Sequence, residues 1–497
     1  MGKVDILRKK YPRFIYKGYS WKFFGKNLNI SFDFRIPPDI KFKPTIVIKN
    51  IDKKRMKRVG DSILNNFVFN LGMIELLSYW KATCSPEIVV EAGYLNQEQI
   101  NWWKDLINRG MGQFFYENKI DFTKSNFLKI NSLQRTVLCK SWQKGLKNRV
   151  LVPIGGGKDS VVTLELLKKD KNNIICFTGE KQRKIIEISG CKNSIIIERE
   201  IDKKLLELNR KGFLNGHTPF SAYLAFLSGL LAVVLDTKYI AFSNERSSNE
   251  GNLKYLPRTE TKSLVRGLGK PCTRTPKENK FPTGQTSSVR GLAINHQYSK
   301  SFDFEQKFRK YSKKYLAKDL EYFSFLRPLY EIQIAKLFSR YPKYFDTFLS
   351  CNEAFKTYSG IKKPSGKWCR KCPKCLFVFM ILYPFIKKDK LVKIFGQNLF
   401  VKKELLSLML ELIGERKFKP FECVGTKKES LIAFYLSLKK NRERVSVGLP
   451  YLLKYFENSV LPKHPNLDKE SKKMMNSWDK KNNLNSDFKR ILKINSF

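Results

Sequence analysis

The sequence predicts an α/β protein with a central parallel sheet, an α+β part before it and a helical, zinc-bearing part after it. Three observations predict this class. Short apolar strand patterns alternate with helical patterns over residues 149–345, which is typical of a parallel sheet with crossover helices. Residues 1–148 combine alternating strand patterns with amphipathic helices. Residues 346–400 hold four clustered cysteines and an apolar helix, and residues 401–497 are helical and rich in lysine.

The composition indicates a folded protein but does not identify its binding partners. The 497 residues include 42% hydrophobic and 13% aromatic residues, and this apolar content excludes a disordered chain. The 95 Lys and Arg against 45 Asp and Glu give a net charge of +50, which indicates either a nucleic-acid partner or lysines spread over solvated faces. The basic residues fall in many short runs and in no dominant block, which favours the second interpretation.

The sequence shows neither a secretory leader nor a membrane-span pattern. The first residues are charged, and no apolar run follows them. The longest apolar stretch, 220–236, is too short to span a membrane and contains two serines and Asp236, so we predict a buried core helix. We therefore expect a cytoplasmic protein whose ten cysteines are free thiols or metal ligands, not disulfides.

The N-terminal part alternates between strand and helix periodicities. Strand patterns occur in FGKNLNISFDFRIP and FKPTIVIKNI, and EIVVEAG has the pattern of a short buried strand. Apolar residues recur at helical spacing in DSILNNFVFNLGMIELLSYWKA and in NQEQINWWKDLINRGMGQFFYEN. We predict an α+β domain over residues 1–148.

The central part contains four apolar strands that we expect to be parallel. These strands are 149–154, 173–179, 194–200 and 238–244. Residues 253–292 then change in character, because they are polar, basic and rich in Gly, Pro and Thr without an apolar period. We predict that they form a long, exposed and disordered insertion.

A glycine-rich turn joins the first central strand to a helix. Its residues are Gly155, Gly156, Gly157, Lys158, Asp159 and Ser160. Glycines let backbone N–H groups approach phosphate oxygens, and the helix N-terminus adds partial positive charge. In this setting Lys158 can neutralise phosphate charge, and Asp159 can hold a Mg²⁺ that bridges phosphates. The turn is not a Walker A loop, and the alternative is a glycine-rich turn without a ligand.

Three polar patches are further candidates for a site. His217 precedes the long apolar helix, where it acts in a site, caps the helix or packs at the sheet edge. Residues that follow a parallel strand face the ligand crevice, so those after the fourth strand are candidate metal or substrate contacts. They are Glu245, Asn249, Glu250 and Asn252. The third patch crowds acid, base and cation, which suits a substrate site, although ordinary surface polarity is the alternative. It comprises His296, Tyr298, Ser299, Lys300 and Glu305.

Four cysteines have the spacing of metal ligands. They are Cys351, Cys369, Cys372 and Cys375. Zn²⁺ prefers four thiolates in a tetrahedron, and a CxxCxxC knuckle supplies three of them from one turn. The neighbouring Arg370, Lys371 and Lys374 would offset the negative charge of such a site. We predict a structural zinc; buried free thiols are the alternative, and an iron–sulfur cluster is the less favoured metal.

Two motifs resemble known families. The loop PIGGGKDS resembles the SGGxDS loop of the PP-loop ATP pyrophosphatase superfamily, which cleaves ATP to AMP and pyrophosphate while it adenylates a substrate. Gly155 stands where that loop has Ser. A PP-loop followed by C…CxxCxxC also resembles 7-cyano-7-deazaguanine synthase.

A longer set of motifs resembles a third family. LGMIELLSYWKATCSPEIVVEAGYLNQEQINWWKDL, GQFFYEN, PIGGGKDS, NGHTPFSA, SNERSSNEGN, NHQYSKSFDFE and CRKCPKCLFVF together resemble the UDP-N-acetyl-muramoyl-L-alanyl-L-glutamate epimerase family, MurL, over about residues 20–400. The insertion at 253–292 departs from that pattern. The resemblance implies an enzyme that uses ATP and Mg²⁺ to invert the terminal L-Glu of a UDP-linked muramoyl dipeptide to D-Glu.

The implied chemistry assigns roles to the candidate residues. A carboxylate makes its neighbouring α-proton very weakly acidic, and adenylation of the carboxylate removes this obstacle because the mixed anhydride accepts enolate charge. Lys158 would counter phosphate charge, and Asp159 would bind Mg²⁺ with Glu245 or Glu250. The base and acid candidates are His296 or His217, with Tyr298 nearby. Lys300 and other cations would bind the UDP diphosphate or the glutamate side chain.

The resemblance also implies partners. We expect the substrate to be handed over from the ligase that adds L-Glu. Two other classes stay open at this point: another PP-loop ATP pyrophosphatase acting on a nucleobase or tRNA, and a zinc-bearing nucleic-acid-binding module with a vestigial loop. A nucleic-acid partner would use the net charge of +50 directly.

Overall fold

The fold was derived from a computed structural model. It describes residues 2–132, 140–168, 174–254, 293–355, 365–416, 419–443 and 448–496. The predicted disordered insertion at 253–292 therefore lies outside the described residues from position 255 onward. Within the described part, no helix is long and apolar enough to cross a membrane.

One large mixed sheet organises the described part of the chain. Its strands are β1 (Arg13–Phe24), β2 (Asn27–Ile36), β3 (Ile40–Phe42), β4 (Thr45–Ile48), β5 (Glu87–Val90), β6 (Lys129–Ser132), β7 (Val150–Ile154), β8 (Ile174–Gly179), β9 (Ser194–Glu200), β10 (Tyr239–Phe242) and β13 (Glu321–Ser324). Their order is β13-β10-β7-β8-β9-β4-β2-β1-β5-β6, with β3 paired to β2. The short strands β11 (Leu253–Lys254) and β12 (Ala293–Ile294) form a separate antiparallel pair.

The four predicted central strands form a parallel array. Strands β10, β7, β8 and β9 pair in parallel, and β13 extends the array at its edge. The sequence analysis did not identify β13, because EYFS is short and lacks a turn signal. The N-terminal strands make the sheet mixed, since β4 pairs antiparallel with both β9 and β2. The sheet thus runs without interruption across position 148, and the domain boundaries remain predictions.

Helices cover both faces of the sheet. They are α1 (Lys3–Lys10), α2 (Lys53–Val59), α3 (Asp61–Glu75), α4 (Leu77–Trp80), α5 (Gln97–Gly110), α6 (Gly112–Glu117), α7 (Lys158–Lys168), α8 (Arg183–Ser189), α9 (Lys203–Arg210), α10 (Phe220–Val234), α11 (Phe302–Tyr315), α12 (Glu331–Phe338), α13 (Asn352–Phe355), α14 (Pro373–Leu382), α15 (Lys388–Phe395), α16 (Leu406–Ile413), α17 (Lys427–Arg442), α18 (Tyr451–Tyr455), α19 (Leu467–Met475) and α20 (Ser486–Ser496). The predicted apolar helix at 220–236 is confirmed as α10, and every residue of α14 after Pro373 is buried.

Adjacent residues of the parallel strands enter two different hydrophobic cores. Leu151 belongs to the core that contains α10, whereas Val152 belongs to the core that contains α14. Ile240 and Ala241 divide in the same way. Side chains alternate along a strand, so this division means that both faces of the sheet are covered, as parallel sheets require. Their near-continuous apolar runs made these strands recognisable in the sequence.

The parallel strands place several polar segments along one edge of the sheet. The glycine-rich turn follows β7, and Glu245 lies just beyond the end of β10. Arg327 follows β13 and is fully buried. Its guanidinium donates to the carbonyl oxygen of Glu245 at 2.7 Å and to that of Lys300. These hydrogen bonds connect the segments at the carboxyl ends of the parallel strands. Open α/β sheets bind their ligands at this edge.

Candidate functional site

The glycine-rich turn is held from two sides. Gly156 has φ +82°, a left-handed conformation that favours glycine. A Cβ added there would lie 2.8 Å from Cγ of Gln182. On the other side, the N–H of Leu349 donates to the carbonyl oxygen of Gly156 at 2.9 Å. Ser160 is buried, and its hydroxyl donates to the carbonyl oxygen of Gly157 at 3.0 Å. The turn is therefore rigidly shaped at the start of α7.

Three carboxylates converge beside this turn. Asp159 lies in the first turn of α7, Glu245 follows β10, and Glu331 opens α12. One carboxylate oxygen from each lies within 4.8 Å of the other two. Oxygen ligands of this kind suit Mg²⁺. Sequence reasoning found Asp159 and Glu245 but missed Glu331, which belongs to no motif; its position at a helix start after a strand was the only signal.

Two lysines enter the acidic cluster formed by Asp159, Glu245 and Glu331. The buried ammonium of Lys158 contacts the carboxylates of Asp159 and Glu331. Nζ of Lys374 lies 3.9 Å from a carboxylate oxygen of Glu331. Burial opposes the charged form of Lys158, but the carboxylates of Asp159 and Glu331 outweigh it and raise the pKa of this lysine. Lys158 therefore forms ion pairs with carboxylates in this structure, whereas the sequence analysis predicted that it neutralises the charge of a phosphate.

The three carboxylates of the acidic cluster carry more negative charge than the two neighbouring lysines neutralise. Burial, followed by the charges of Glu331 and Asp159, raises the pKa of Glu245 to about 7. Burial and Glu331 also raise the pKa of Asp159. The pKa of Glu331 changes in the opposite direction. Burial would raise it, but the charges of Lys158 and Lys374 outweigh burial and lower it. A divalent cation would supply the missing positive charge, so the donor set fits Mg²⁺.

The two candidate histidines meet although they are far apart in the sequence. The ring centroids of His217 and His296 lie 4.3 Å apart, with the planes inclined by 45°. The backbone N–H of His296 donates to Oδ1 of Asn252 at 2.9 Å, and its Nδ1 contacts Oε1 of Gln113. Burial, then His296, Lys81 and Lys300, lower the pKa of His217 well below its usual value. His217 is therefore neutral at pH 7, the form that accepts a proton.

Lys300 links the histidines to the acidic cluster electrostatically. Its ammonium makes no hydrogen bond or ion pair with another residue in the part of the chain that the structure describes. Burial disfavours the charge of Lys300, but Cys423, Glu245, Asp159 and Glu331 outweigh it and raise its pKa. The same ammonium helps to lower the pKa of His217. A charged lysine without a partner in this position suits an anionic ligand.

Several predicted contacts have structural partners instead. The hydroxyl of Tyr298 donates to Asp303 at 2.9 Å and lies 3.4 Å from Asp105, and its role beside the histidines stays a prediction. The other predicted contacts are likewise engaged: Glu250 pairs with Lys419, Asn249 accepts from the N–H of Phe302, and Glu305 pairs with Arg327. These side chains hold the segments of the site together.

The four predicted cysteine ligands come together. The sulfur atoms of Cys351, Cys369, Cys372 and Cys375 all lie within 4.8 Å of one another. Cys351 and Cys372 are separated by 3.8 Å, and Cys369 and Cys375 by 3.7 Å. A tetrahedron with Zn–S bonds of about 2.3 Å has sulfur–sulfur edges of about 3.8 Å. The donor set therefore fits zinc.

The fold and this site define an α/β enzyme with an acidic, lysine-containing centre and a histidine pair at the carboxyl edge of the sheet. The family profile of the MurL N-terminal domain matches residues 6–259 and 283–325, and that of the MurL C-terminal domain matches residues 347–459. The chain belongs to the MurL epimerase family, which confirms the resemblance seen in the sequence.

Three relatives bear the same name, UDP-N-acetyl-alpha-D-muramoyl-L-alanyl-L-glutamate epimerase. The relative from Xanthomonas oryzae pv. oryzae is 33% identical over 367 residues, which cover 73% of this chain and 72% of the relative. The relative from Salinispora tropica is 30% identical, covering 74% of this chain and 72% of its own. The relative from a Micromonospora species is 29% identical and covers 75% of each chain. No solved structure matches the chain.

Proposed function

We propose that this protein is an ATP- and Mg²⁺-dependent epimerase that inverts the terminal L-Glu of UDP-N-acetylmuramoyl-L-Ala-L-Glu to D-Glu in peptidoglycan precursor synthesis. The observation that carries the proposal is the match to both MurL domains together with the name shared by the three relatives. The reaction that attaches L-Glu to the UDP-linked muramoyl-L-Ala must supply this substrate.

The acidic cluster and the glycine-rich turn support the ATP part of the proposal. Asp159, Glu245 and Glu331 are the residues that would hold Mg²⁺. When bound, the cation would neutralise phosphate charge and help pyrophosphate to leave. The backbone N–H groups of the turn and the dipole of α7 would bind phosphate oxygens. The glutamate α-carboxylate attacks the α-phosphorus, which forms the acyl-adenylate and releases pyrophosphate.

The histidines and Lys300 support the inversion. Once the carboxylate is adenylated, a base removes the α-proton and the electron pair moves to the carbonyl oxygen. His217 is neutral and can accept that proton. The ammonium of Lys300, which pairs with no residue that the structure describes, would stabilise the enolate oxygen. Protonation on the other face gives the D-centre, and water then cleaves the anhydride to AMP and the product.

We also propose a structural zinc at the four cysteines. The support is the sulfur–sulfur separation of 3.8 Å between Cys351 and Cys372, which matches a tetrahedral thiolate site. Cys351 comes two positions after Leu349, whose N–H holds Gly156. The zinc would therefore stabilise the segment that packs on the glycine-rich turn.

The experiment measures AMP and the stereochemistry of glutamate together. With ATP, Mg²⁺ and UDP-N-acetylmuramoyl-L-Ala-L-Glu in D₂O, we expect AMP release and D-Glu that carries deuterium at the α-carbon. Bulk tRNA in place of the muramoyl substrate should give no AMP. AMP release with tRNA only, or inversion without α-deuterium, would contradict the proposal.

A further inference from the structure

Helix α6 packs against both segments that carry the candidate histidines, and it holds most of the motif GQFFYEN. A Cβ added at Gly112 would lie 3.4 Å from Cγ2 of Ile294, which comes two positions before His296. Just beyond the helix, Nδ2 of Asn118 donates to the carbonyl oxygen of Asn215 at 3.0 Å, two positions before the other histidine. The motif is therefore part of the surroundings of the histidine pair.

Gln113 is the residue of α6 that contacts the ring of His296 directly. Oε1 of Gln113 is in hydrogen-bond contact with Nδ1 of His296. The carbonyl oxygen of an amide can only accept, so this contact requires a proton on Nδ1. If the amide were turned over, its NH₂ group would face Nδ1, and Nδ1 would have to be the acceptor. The direction of the amide therefore decides which nitrogen of a neutral His296 carries the proton.

Glu117 fixes the direction of that amide. Its Oε1 accepts a hydrogen bond from Nε2 of Gln113 at 2.7 Å. Glu117 stands four positions after Gln113, so the two side chains lie on the same face of α6. Turning the amide over would bring its carbonyl oxygen against a carboxylate, which has only acceptors. Glu117 thus holds Oε1 of Gln113 toward His296.

A protonated Nδ1 determines where His296 can react. A neutral imidazole carries one proton, so its lone pair is then on Nε2. The backbone of the same residue is held separately, because its N–H donates to Oδ1 of Asn252 at 2.9 Å. The ring lies against His217, with 4.3 Å between the centroids. Since the backbone and Nδ1 are both held, the position of Nε2 relative to His217 is also set.

On the basis of the proposed function, we propose that Gln113 is a positioning residue for the inversion. Oriented by Glu117, it keeps a proton on Nδ1 of His296, so that Nε2 is the atom that exchanges a proton with the glutamate α-carbon. When His296 acts as the base, the α-proton passes to Nε2 and the C–H electron pair moves to the carbonyl oxygen of the adenylate. When it acts as the acid, Nε2 gives a proton to the α-carbon of the enolate. In both directions Nδ1–H stays bonded to Gln113.

The position of the proton can be measured directly by NMR, because the chain contains 3 histidines. In the full-length protein labelled with ¹⁵N-histidine, the variant His296→Asn assigns the signals of this ring. At a pH where the ring is neutral, we expect Nδ1 of His296 to be protonated and Nε2 to be unprotonated. Gln113→Leu removes the acceptor, so we expect both tautomers in that variant. A wild-type ring with its proton on Nε2, or an unchanged Nδ1–H ring in folded Gln113→Leu, overturns the proposal.

The same variant tests the consequence for the inversion. With the L-Glu substrate, ATP and Mg²⁺, Gln113→Leu should lower D-Glu formation by about 10- to 100-fold, the range found when a metal-binding histidine loses the partner of its other ring nitrogen. AMP release should persist, because adenylation precedes proton removal. Gln113→Glu should recover most of the inversion, since a carboxylate also accepts from Nδ1–H. Wild-type inversion by Gln113→Leu, or no recovery in folded Gln113→Glu, overturns the positioning role.

Glu117 allows a second test with little risk to folding, because this residue is exposed. Glu117→Gln should slow inversion when residue 113 is Gln, since the amide can then turn over. It should have no effect when it is combined with Gln113→Glu, because a carboxylate presents an acceptor in either orientation. Equal effects in the two backgrounds overturn the orienting role of Glu117. The matched control is Gln97→Leu, which changes an exposed glutamine of α5 that donates to Asn101 and should invert at the wild-type rate.

The NMR measurement separates this inference from the proposed function, because it needs no turnover. A wild-type protein without substrate-dependent AMP release and inversion overturns the proposed function, whatever the tautomer of His296. A wild-type protein that inverts glutamate but carries the proton of His296 on Nε2 overturns the role of Gln113 alone.

Discussion

Lys374, which stands between Cys372 and Cys375, directs its ammonium to within 3.9 Å of the Glu331 carboxylate. The four-cysteine segment and the acidic cluster are therefore one connected structure. Lys374 is buried, lies in the first turn of α14, and also contacts the carbonyl oxygen of Cys423. The position of this lysine depends on the shape of the cysteine knuckle.

We expect one zinc per chain, and we expect its loss to lower activity through Lys374. Cys372→Ser should reduce the zinc content measured by mass spectrometry and should lower substrate-dependent AMP release, because the first turn of α14 loses its anchor. Cys191→Ser is the matched control and should retain both. Full AMP release by a zinc-free Cys372→Ser protein would contradict this link.

The acidic cluster should be essential for ATP chemistry. Glu331→Gln removes one of the three carboxylates, leaves Lys374 without its carboxylate partner and leaves Lys158 with Asp159 alone, so we expect AMP release to fall by at least about 100-fold. Glu187→Gln changes an exposed glutamate on α8 that pairs with Arg183, and it should retain wild-type AMP release. Equal rates of AMP release by the two variants would show that Glu331 does not belong to the site.

The depressed pKa of His217 should appear in the pH dependence of stability. Below about pH 6.5 the unfolded histidine binds a proton that the folded histidine does not bind, so the free energy of unfolding should fall as pH falls through this range. Urea unfolding at pH 7.5 and pH 5.5 measures this difference. In His217→Asn the difference should be smaller; an identical difference would show that His217 is not responsible.

The glycine-rich turn should tolerate a side chain at one glycine but not at the next. Gly156→Ala places a Cβ in a left-handed conformation and 2.8 Å from Gln182, so we expect a loss of about 1–2 kcal/mol in the free energy of unfolding. Gly155→Ser has no atom within 4 Å of the added Cβ and no positive φ. It should unfold at the wild-type denaturant concentration, and destabilisation by both variants alike would contradict this explanation.

Local sequence patterns predicted the separate elements of the site better than they predicted which of these elements lie next to one another. The strand, the glycines and Asp159 are contiguous in the sequence, so their arrangement follows from one βα unit. The approach of His217 to His296 depends on how α10 and the segment after β12 pack, which no local pattern encodes. Glu331 was missed for the same reason, since it reaches the acidic cluster only when β13 joins the sheet.

The pairing of β4 with β9 has a consequence for any shortened version of this chain. Thr45–Ile48 covers the outer side of β9, and the partly buried Arg199 of β9 forms a bidentate pair with the buried Glu75 of α3. A chain that starts at residue 149 would leave the backbone of β9 open and Arg199 without its carboxylate. Such an edge is a template for self-association, so removal of the N-terminal residues should produce aggregates in place of a smaller monomeric protein.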